Sequence, residues 1–234
     1  MWTPFAAIAP VSIARIALLA AAAALAAGCA TESHRTVGTE SAASHGTPYA
    51  GPKSPLGVGA FANRSAYMGG VFSDGVDRLG SQARTVLKTH LAETGRFKVV
   101  DHENLEVFRR EAELAGSDTR FTAARVVVAG EVTEFGRRET GDRVLFGLGG
   151  RGKSQIAYAK VSLNLVDPIT SEVLQSVQGA GEYELSDREI LGTGGTSGYD
   201  ATLNGKVLDL AILDAVNKLV AGLERGEWSP AGGP

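Results

Sequence analysis

The chain is poor in the residues that build redox, disulfide and metal chemistry. Its 234 residues include one cysteine, Cys29, so neither an intrachain disulfide nor a thiolate metal cluster can form. The four histidines, His34, His45, His90 and His102, are scattered, and none pairs with another at metal-ligand spacing. Neither a metal nor a cofactor is implied. Positive charge is not in excess: 23 Lys and Arg stand against 26 Asp and Glu, a net charge of -3. That balance removes the electrostatic reason to expect a nucleic-acid partner. Beyond the first 30 residues, no stretch approaches the ~20 apolar residues of a membrane-spanning helix.

What is present begins at the N-terminus. Arg15 is followed by an apolar, Ala-rich run from Ile16 to Ala27, and then by Gly28 and Cys29. A single basic residue, a short apolar core and a small-residue exit form the pattern of a secretory signal. With the cysteine at the cut, it reads as a lipoprotein signal over residues 1–28. The Cys29 thiol would become a thioether to diacylglycerol, with palmitate-type chains. Each buried methylene contributes about 0.8 kcal/mol, so two or three acyl chains anchor firmly. Ala26 stands three before the cysteine, where Leu is preferred, and Leu25 comes one position earlier. Ala30 follows the cysteine where an Asp would retain a lipoprotein in the inner membrane, so the outer membrane is implied, with the protein facing the periplasm. An ordinary secretory signal with a free Cys29 is the competing reading, and a lone thiol suits an oxidising compartment poorly.

Residues 29–55 are rich in Ser, Thr, Ala, Gly and Pro and lack an apolar period, which predicts a flexible tether. The folded domain is expected over residues 56–230. Leu56 to Phe61 reads as a strand. A helix should follow, capped by Ser73 or Asp74, with Val76, Leu79, Ala83, Val86, Leu87 and His90/Leu91 at helical spacing and Thr94-Gly95 as its stop. Phe97 to Val100 reads as a strand, and Glu103 to Leu114 as a helix with Leu105, Phe108 and Ala112 on one side. Arg125 to Val132 is nearly all apolar, the mark of a central strand. Ile156 to Val166 alternates with period two, and so does Val173 to Leu185, with Val173, Val177, Tyr183 and Leu185 on one face. Leu203 to Leu223 carries a helical stripe of Leu208, Ile212, Ala215, Val216, Leu219 and Leu223. The sum is an α+β domain, a mostly antiparallel sheet with packed helices and two extended Gly-rich hairpins, at about 136–154 and 182–204.

One motif tempts a nucleotide-binding reading. Gly147 to Ser154 fits G-x-x-x-x-G-K-S, with Lys153 and Ser154 in the phosphate-binding places. Such a loop must enter a helix, whose N-terminal amides hold the phosphates. Here period-two alternation follows, so a hairpin with solvated basic residues is expected. The second cluster, Gly192 to Gly198, lacks strand and helix flanks as well, and Ser197 is not in a nucleophile elbow. Asp187 and Glu189 read as solvated surface. No catalytic residues are assigned, and the protein is not expected to be an enzyme.

Two blocks carry a family resemblance: Arg96-Phe97-Lys98-Val99-Val100-Asp101, and Ala129-Gly130-Glu131-Val132-Thr133-Glu134-Phe135 with the hairpin and strand that follow as far as Leu174. The ending Gly226-Glu227-Trp228 agrees. In these, and in the order of its parts over residues 56 to 228, the chain resembles the curli production assembly/transport (CsgG/HfaB) family. The resemblance implies an outer-membrane lipoprotein that forms a homo-oligomeric ring and serves export or assembly of a surface structure, a curli-like fibre or an adhesin, with exported subunits or other envelope lipoproteins as partners. Each subunit of the best-known members gives two β-hairpins to a shared barrel. A loop after the first strand narrows their channel, and on this chain that loop is Asn63 to Phe72, with Tyr67 and Phe72 as the candidate constriction. A hydrophobic staple on the next helix is the other reading of these rings. The chain departs from the pore-forming pattern in its hairpin arms. Gly136 to Arg143 is charged on both parities, as is Glu182 to Ile190, and a charge facing lipid near the bilayer centre costs ~2–4 kcal/mol. A periplasmic accessory or adaptor lipoprotein without a pore is therefore the alternative.

Overall fold

The computed structural model describes residues 40–67, 76–143, 151–189 and 201–229, and of these 139–143, 151–155, 185–189 and 201–204 by backbone alone. Cys29, Phe72 and the second glycine cluster lie outside the described residues. In chain order the elements are β1 (Pro55–Asn63), α1 (Arg78–Glu93), β2 (Lys98–Val100), α2 (Leu105–Leu114), β3 (Val126–Arg143), β4 (Arg151–Val166), β5 (Val173–Glu189) and α3 (Ala201–Glu224). Five strands form one sheet in the order β2-β1-β3-β4-β5. The domain is α+β, as its patterning predicts.

The sheet is mostly antiparallel, as expected, with parallel pairing confined to β1 and its two neighbours. β1 runs parallel to both β2 and β3, because a helix-bearing crossover precedes each return of the chain. β3, β4 and β5 are joined as antiparallel hairpin partners over their full lengths, from Val127 opposite Val166 to Arg143 opposite Arg151, and on to Glu189. The apolar run that opens β3 does lie in the central strand: Val126, Val128 and Val132 are fully buried. β4 keeps its predicted alternation, with Ala157, Ala159, Val161, Leu163 and Leu165 all in the core. In β5 the parity slips at a bulge between its pairings with Leu165 and Val166. Leu174, Val177 and Tyr183 therefore pack on the core, while Val173 is exposed.

Helices α1 and α3 cover one face of the sheet. The buried stripe of α3 includes every predicted position, Leu208, Ile212, Ala215, Val216 and Leu219, with Leu223 partly buried. α3 lies on β5 at backbone distance. A Cβ placed on Gly179 would overlap the Ala211 carbonyl and the Ala215 amide, and one on Gly181 would overlap the Val207 carbonyl and the Ala211 amide. Two α3 side chains then reach round to the unpaired edge of β5. Asp214 Oδ2 accepts the Ala180 N–H at 3.0 Å, and Lys218 Nζ donates to the Gln178 carbonyl at 2.8 Å.

Four expectations change. The cap of α1 is Asp77 rather than Ser73 or Asp74, since its Oδ1 accepts the Gly80 N–H at 2.7 Å, and Val76 before it is exposed. The stop at Thr94-Gly95 holds, with Gly95 in the left-handed region at φ 65°. The face of α2 expected to be buried is not, and no residue of α2 is buried; α1 and α3 already cover the core face of the sheet, which leaves α2 no apolar surface to pack on. The segment 182–204 is not a hairpin throughout, because residues 201–204 open α3 and extend its helical register. Finally, residues 40–54, expected in the tether, are packed on the domain: Ala42, Ser44 and Ser54 are buried.

The close approach of α3 and β5 yields a paired prediction. Gly179→Val should destabilise the domain by about 3 kcal/mol or more, since backbone on the facing helix cannot move aside. Gly205→Ala should stabilise it by about 0.5–1 kcal/mol, because the nearest atom to a Cβ there is Gln82 Nε2 at 3.5 Å. Urea denaturation of both variants checks the pair.

Candidate functional site

The loop after β1 is the predicted constriction, and its described part is held by one residue at each end. Asn63 closes the strand. Its N–H donates to Asp77 Oδ2 at 2.6 Å, its Oδ1 accepts from the Ser65 N–H at 3.0 Å and from Ser65 Oγ at 2.6 Å, and its Nδ2 donates to the Tyr67 carbonyl at 3.0 Å. An Asn in this place mimics a backbone turn and folds the chain back on itself. The Arg64 N–H continues the sheet by donating to the Val132 carbonyl at 2.9 Å. Asp77 ends the loop, one oxygen on Asn63 and the other on the first turn of α1. A single carboxylate thus fastens both ends of the segment 64–76.

Between these fastenings the Tyr67 ring lies on Phe135 of β3, centroids 4.7 Å apart and planes at 52°. Phe135 is buried and Tyr67 partly so. Tyr67 is therefore positioned by the sheet on its own chain. Nothing relates it to Phe72, which lies outside the described residues.

The sheet face opposite the helices carries a groove of about 500 Å³, lined among others by Glu134, Arg138, Tyr158, Lys160 and Glu182. Gly136 faces Tyr158 across the β3–β4 pair, and the tyrosine ring fills the space a side chain would take there. The Arg138 guanidinium carbon stands 6.0 Å from the centroid of that ring, and Lys160 Nζ pairs with Glu134 Oε1 at 2.9 Å. The groove is thus a charge-balanced surface with one aromatic, suited to polar contacts.

The other flagged residues fall apart in space. Lys153 and Ser154 lie inside β4, opposite Gly141 and Thr140 on one side and Asp187 and Ser186 on the other. The strand runs on to Val166, so no helix follows the glycines and the phosphate-binding geometry is not built. Among the described residues no group of three or more His, Cys, Asp or Glu could hold a metal ion. Sequence reasoning did not single out His90 beyond its helical spacing. It is 3% exposed, its Nε2 lies 2.8 Å from Asp209 Oδ1 of α3, and its Nδ1 lies 3.4 Å from Glu93 Oε2. The signal was its place on the buried stripe of α1, where a polar residue needs a partner. A second ion cluster joins α1 to the turn before α2. Arg84 and Lys88 both contact Glu103, and Lys88 Nζ is 3.3 Å from Asp101 Oδ1.

The first block that carried the resemblance and the C-terminal ending meet here. Phe97 stacks on Trp228, centroids 6.1 Å apart, and Trp228 Nε1 donates to the Leu219 carbonyl at 3.2 Å. The model of the family described as curli production assembly/transport component CsgG matches residues 39–231. The chain belongs to the CsgG family. The CsgG-family match begins within one residue of Glu40, the first residue of the packed domain. A Neisseria meningitidis serogroup B protein named "Putative lipoprotein NMB1126/NMB1164" is 57% identical over 219 residues, which cover 94% of this chain and 98% of that one. Among solved structures, the PelC dodecamer from Paraburkholderia phytofirmans is 14% identical with a TM-score of 0.32, covering 78% of this chain and 95% of its own. Lipoprotein GNA1162 from Neisseria meningitidis is 13% identical with a TM-score of 0.33, covering 74% and 99%.

Two predictions follow the geometry of this CsgG-family domain. Asp77→Ala removes a helix cap and the acceptor for Asn63, and should cost about 1–2 kcal/mol; thermal denaturation reads the loss, and proteolysis within 64–76 should quicken. The second concerns pH. The Glu103 backbone N–H, with help from Asn104 and Lys88 and against partial burial, holds the Asp101 carboxyl below its ordinary 3.8. A carboxyl lowered on folding contributes stability that is complete above its unfolded value and is lost as pH falls through the folded one. Stability measured from about pH 5 down to about pH 2 should fall less steeply in Asp101→Asn than in the parent.

Proposed function

We propose that this CsgG-family protein is an outer-membrane lipoprotein, anchored through Cys29 and facing the periplasm. In this reading it acts as a homo-oligomer in the export or assembly of a surface structure. The observation that carries the proposal is the family match over residues 39–231, a family described by assembly and transport. The lipoprotein signal ending at Cys29 supports the anchor, and so does the name of the Neisseria relative, which shares nearly its whole length with this chain. The protein works by binding, with no reaction of its own. Its partners are exported subunits or other envelope lipoproteins.

The long strands support a projecting role. The last described contact of α3 with β5 is Lys206 Nζ over the Tyr183 ring, at 4.7 Å. β5 continues from there to Glu189, paired with β4, which is paired in turn with β3 as far as Arg143. This ribbon is the part available for a partner or for a neighbouring copy. Tyr67, fixed on Phe135, and Phe72 further along the same loop are the candidate constriction.

A second reading, an accessory or adaptor lipoprotein without a pore, is favoured by the charges of Gly136 to Arg143, which suit water on both faces of the ribbon. No helix among the described residues is long and apolar enough to cross a membrane, and that leaves a β-barrel untouched. Electron microscopy of the full-length lipidated protein in mild detergent separates the two. Rings with a central opening are the expected result, and Tyr67→Ala should then raise conductance in planar bilayers. A uniform monomer or small oligomer would sink the pore and leave the adaptor. A mature mass without acyl chains on Cys29 would sink the anchor itself.

A further inference from the structure

Residues 40–54 stand where a loose tether is expected, yet they are bound to the domain along their length. The Ala43 N–H donates to Asn217 Oδ1 of α3 at 2.9 Å, His45 Nδ1 lies 3.2 Å from the Glu93 carbonyl at the end of α1, and the Lys98 N–H of β2 donates to the Ser54 carbonyl at 3.0 Å. At the centre is Arg96, 4% exposed. Its Nε and Nη2 donate to Glu224 Oε1 at 2.9 and 2.7 Å. Its Nη1 donates to the carbonyls of Thr94 and Thr47 at 3.1 and 3.0 Å, and Nη2 donates again to Thr47 Oγ1 at 2.6 Å. The Tyr49 ring closes over the guanidinium, its centroid 5.0 Å away. A buried guanidinium is tolerated only when its five N–H groups find acceptors. Here two acceptors belong to Thr47, so the charge depends on the segment and the segment depends on the charge.

We propose that residues 40–54 are a strap that sets how far the domain can stand from the membrane, latched by Arg96 on Thr47 and Tyr49. The inference rests on the reading of Cys29 as the lipid-bearing residue. Thirteen residue steps separate Cys29 from Ala42, the first buried residue of the strap, and 26 separate it from Pro55. A chain reaches at most about 3.3–3.6 Å per residue, so the latched strap caps the reach at about 43–47 Å where a free one would allow about 86–94 Å. The latch therefore halves the longest distance between the lipid and the domain. It acts whatever conformation residues 30–39 adopt, because the limit is covalent. For a protein that must meet neighbours in one plane, a short fixed leash keeps copies at one height and raises their effective concentration.

The test uses full-length lipidated protein in phosphatidylethanolamine–phosphatidylglycerol vesicles that carry a rhodamine headgroup acceptor. A donor dye is placed on Ile169→Cys, at an exposed turn, while the lipid thioether protects Cys29 from labelling. The variants are Arg96→Ala and, should that fold poorly, Thr47→Ala combined with Tyr49→Ala, which leaves the Arg96–Glu224 pair in place. Amide exchange of Ala43 and Thr47 reports the latch directly. The expected result is slow exchange in the parent, exchange faster by about tenfold or more in the variants, and energy transfer reduced by about half or more. Unprotected strap amides in the parent would overturn the proposal, as would unchanged transfer in a variant whose strap has been released. A parent protein that fails to float with the vesicles and carries an unmodified Cys29 would overturn the lipid reading and the leash together. Flotation with unchanged transfer overturns the leash alone.

Discussion

The packing of α3 against bare backbone is the constraint on which the rest of the domain depends. Side chains ordinarily fill the gap between a helix and the sheet it covers. At Gly179 and Gly181 there is no side chain, and the Ala211 and Val207 carbonyls of α3 stand against β5 itself. That contact sets the rotation of α3, and with it which residues enter the core. Leu208, Ile212 and Leu219 point into the layer shared with β4 and α1, while Asp214 and Lys218 reach the unpaired edge of β5. An edge satisfied in this way is a poor template for stray strand pairing near Gln178–Ala180. Further along, β3, β4 and β5 stay paired as far as Arg143, Arg151 and Glu189.

A second constraint works at the opposite end of the sheet. Arg96 is buried by the strap, by the end of α1 and by the end of α3, so three chain segments far apart in sequence share one charge. Phe97 beside it stacks on Trp228, which follows α3. Breaking a buried, fully hydrogen-bonded charge is costly because the partner left behind remains desolvated. The ends of the domain are thus closed by a polar clasp and an aromatic one, side by side. The loop after β1 uses the same economy on a smaller scale, with Asp77 holding both Asn63 and the first turn of α1.

Much of this was legible in the residues, and the failures have a common cause. Period-two alternation located β4 from Ile156 on and its buried face, though the strand begins earlier at Arg151, and the apolar run of Val126 to Val128 marked the strand at the centre of the sheet. The stripe of α3 was legible because seven turns of helix average out local noise. α2 was misjudged because amphipathic spacing states that a face exists and is silent on whether a partner surface remains to receive it. Residues 40–54 were misjudged because small and polar residues look alike whether they are solvated or hydrogen-bonded to a buried guanidinium. The cap of α1 was misplaced by one turn, since Ser73, Asp74 and Asp77 are equally able to cap and only the approach of Asn63 selects among them.

By itself, then, the amino-acid sequence determined the family, the α+β class and the buried faces of β4 and α3. Each of these is written in local pattern, in spacing of 2 or 3.6 residues or in a contiguous motif. The parallel pairing of β1, the exposure of α2, the pairing of His90 with Asp209 and the contacts of residues 40–54 with Arg96 were decided only by tertiary structure. They depend on contacts between residues tens to more than a hundred positions apart, and no local period encodes which distant surface arrives first.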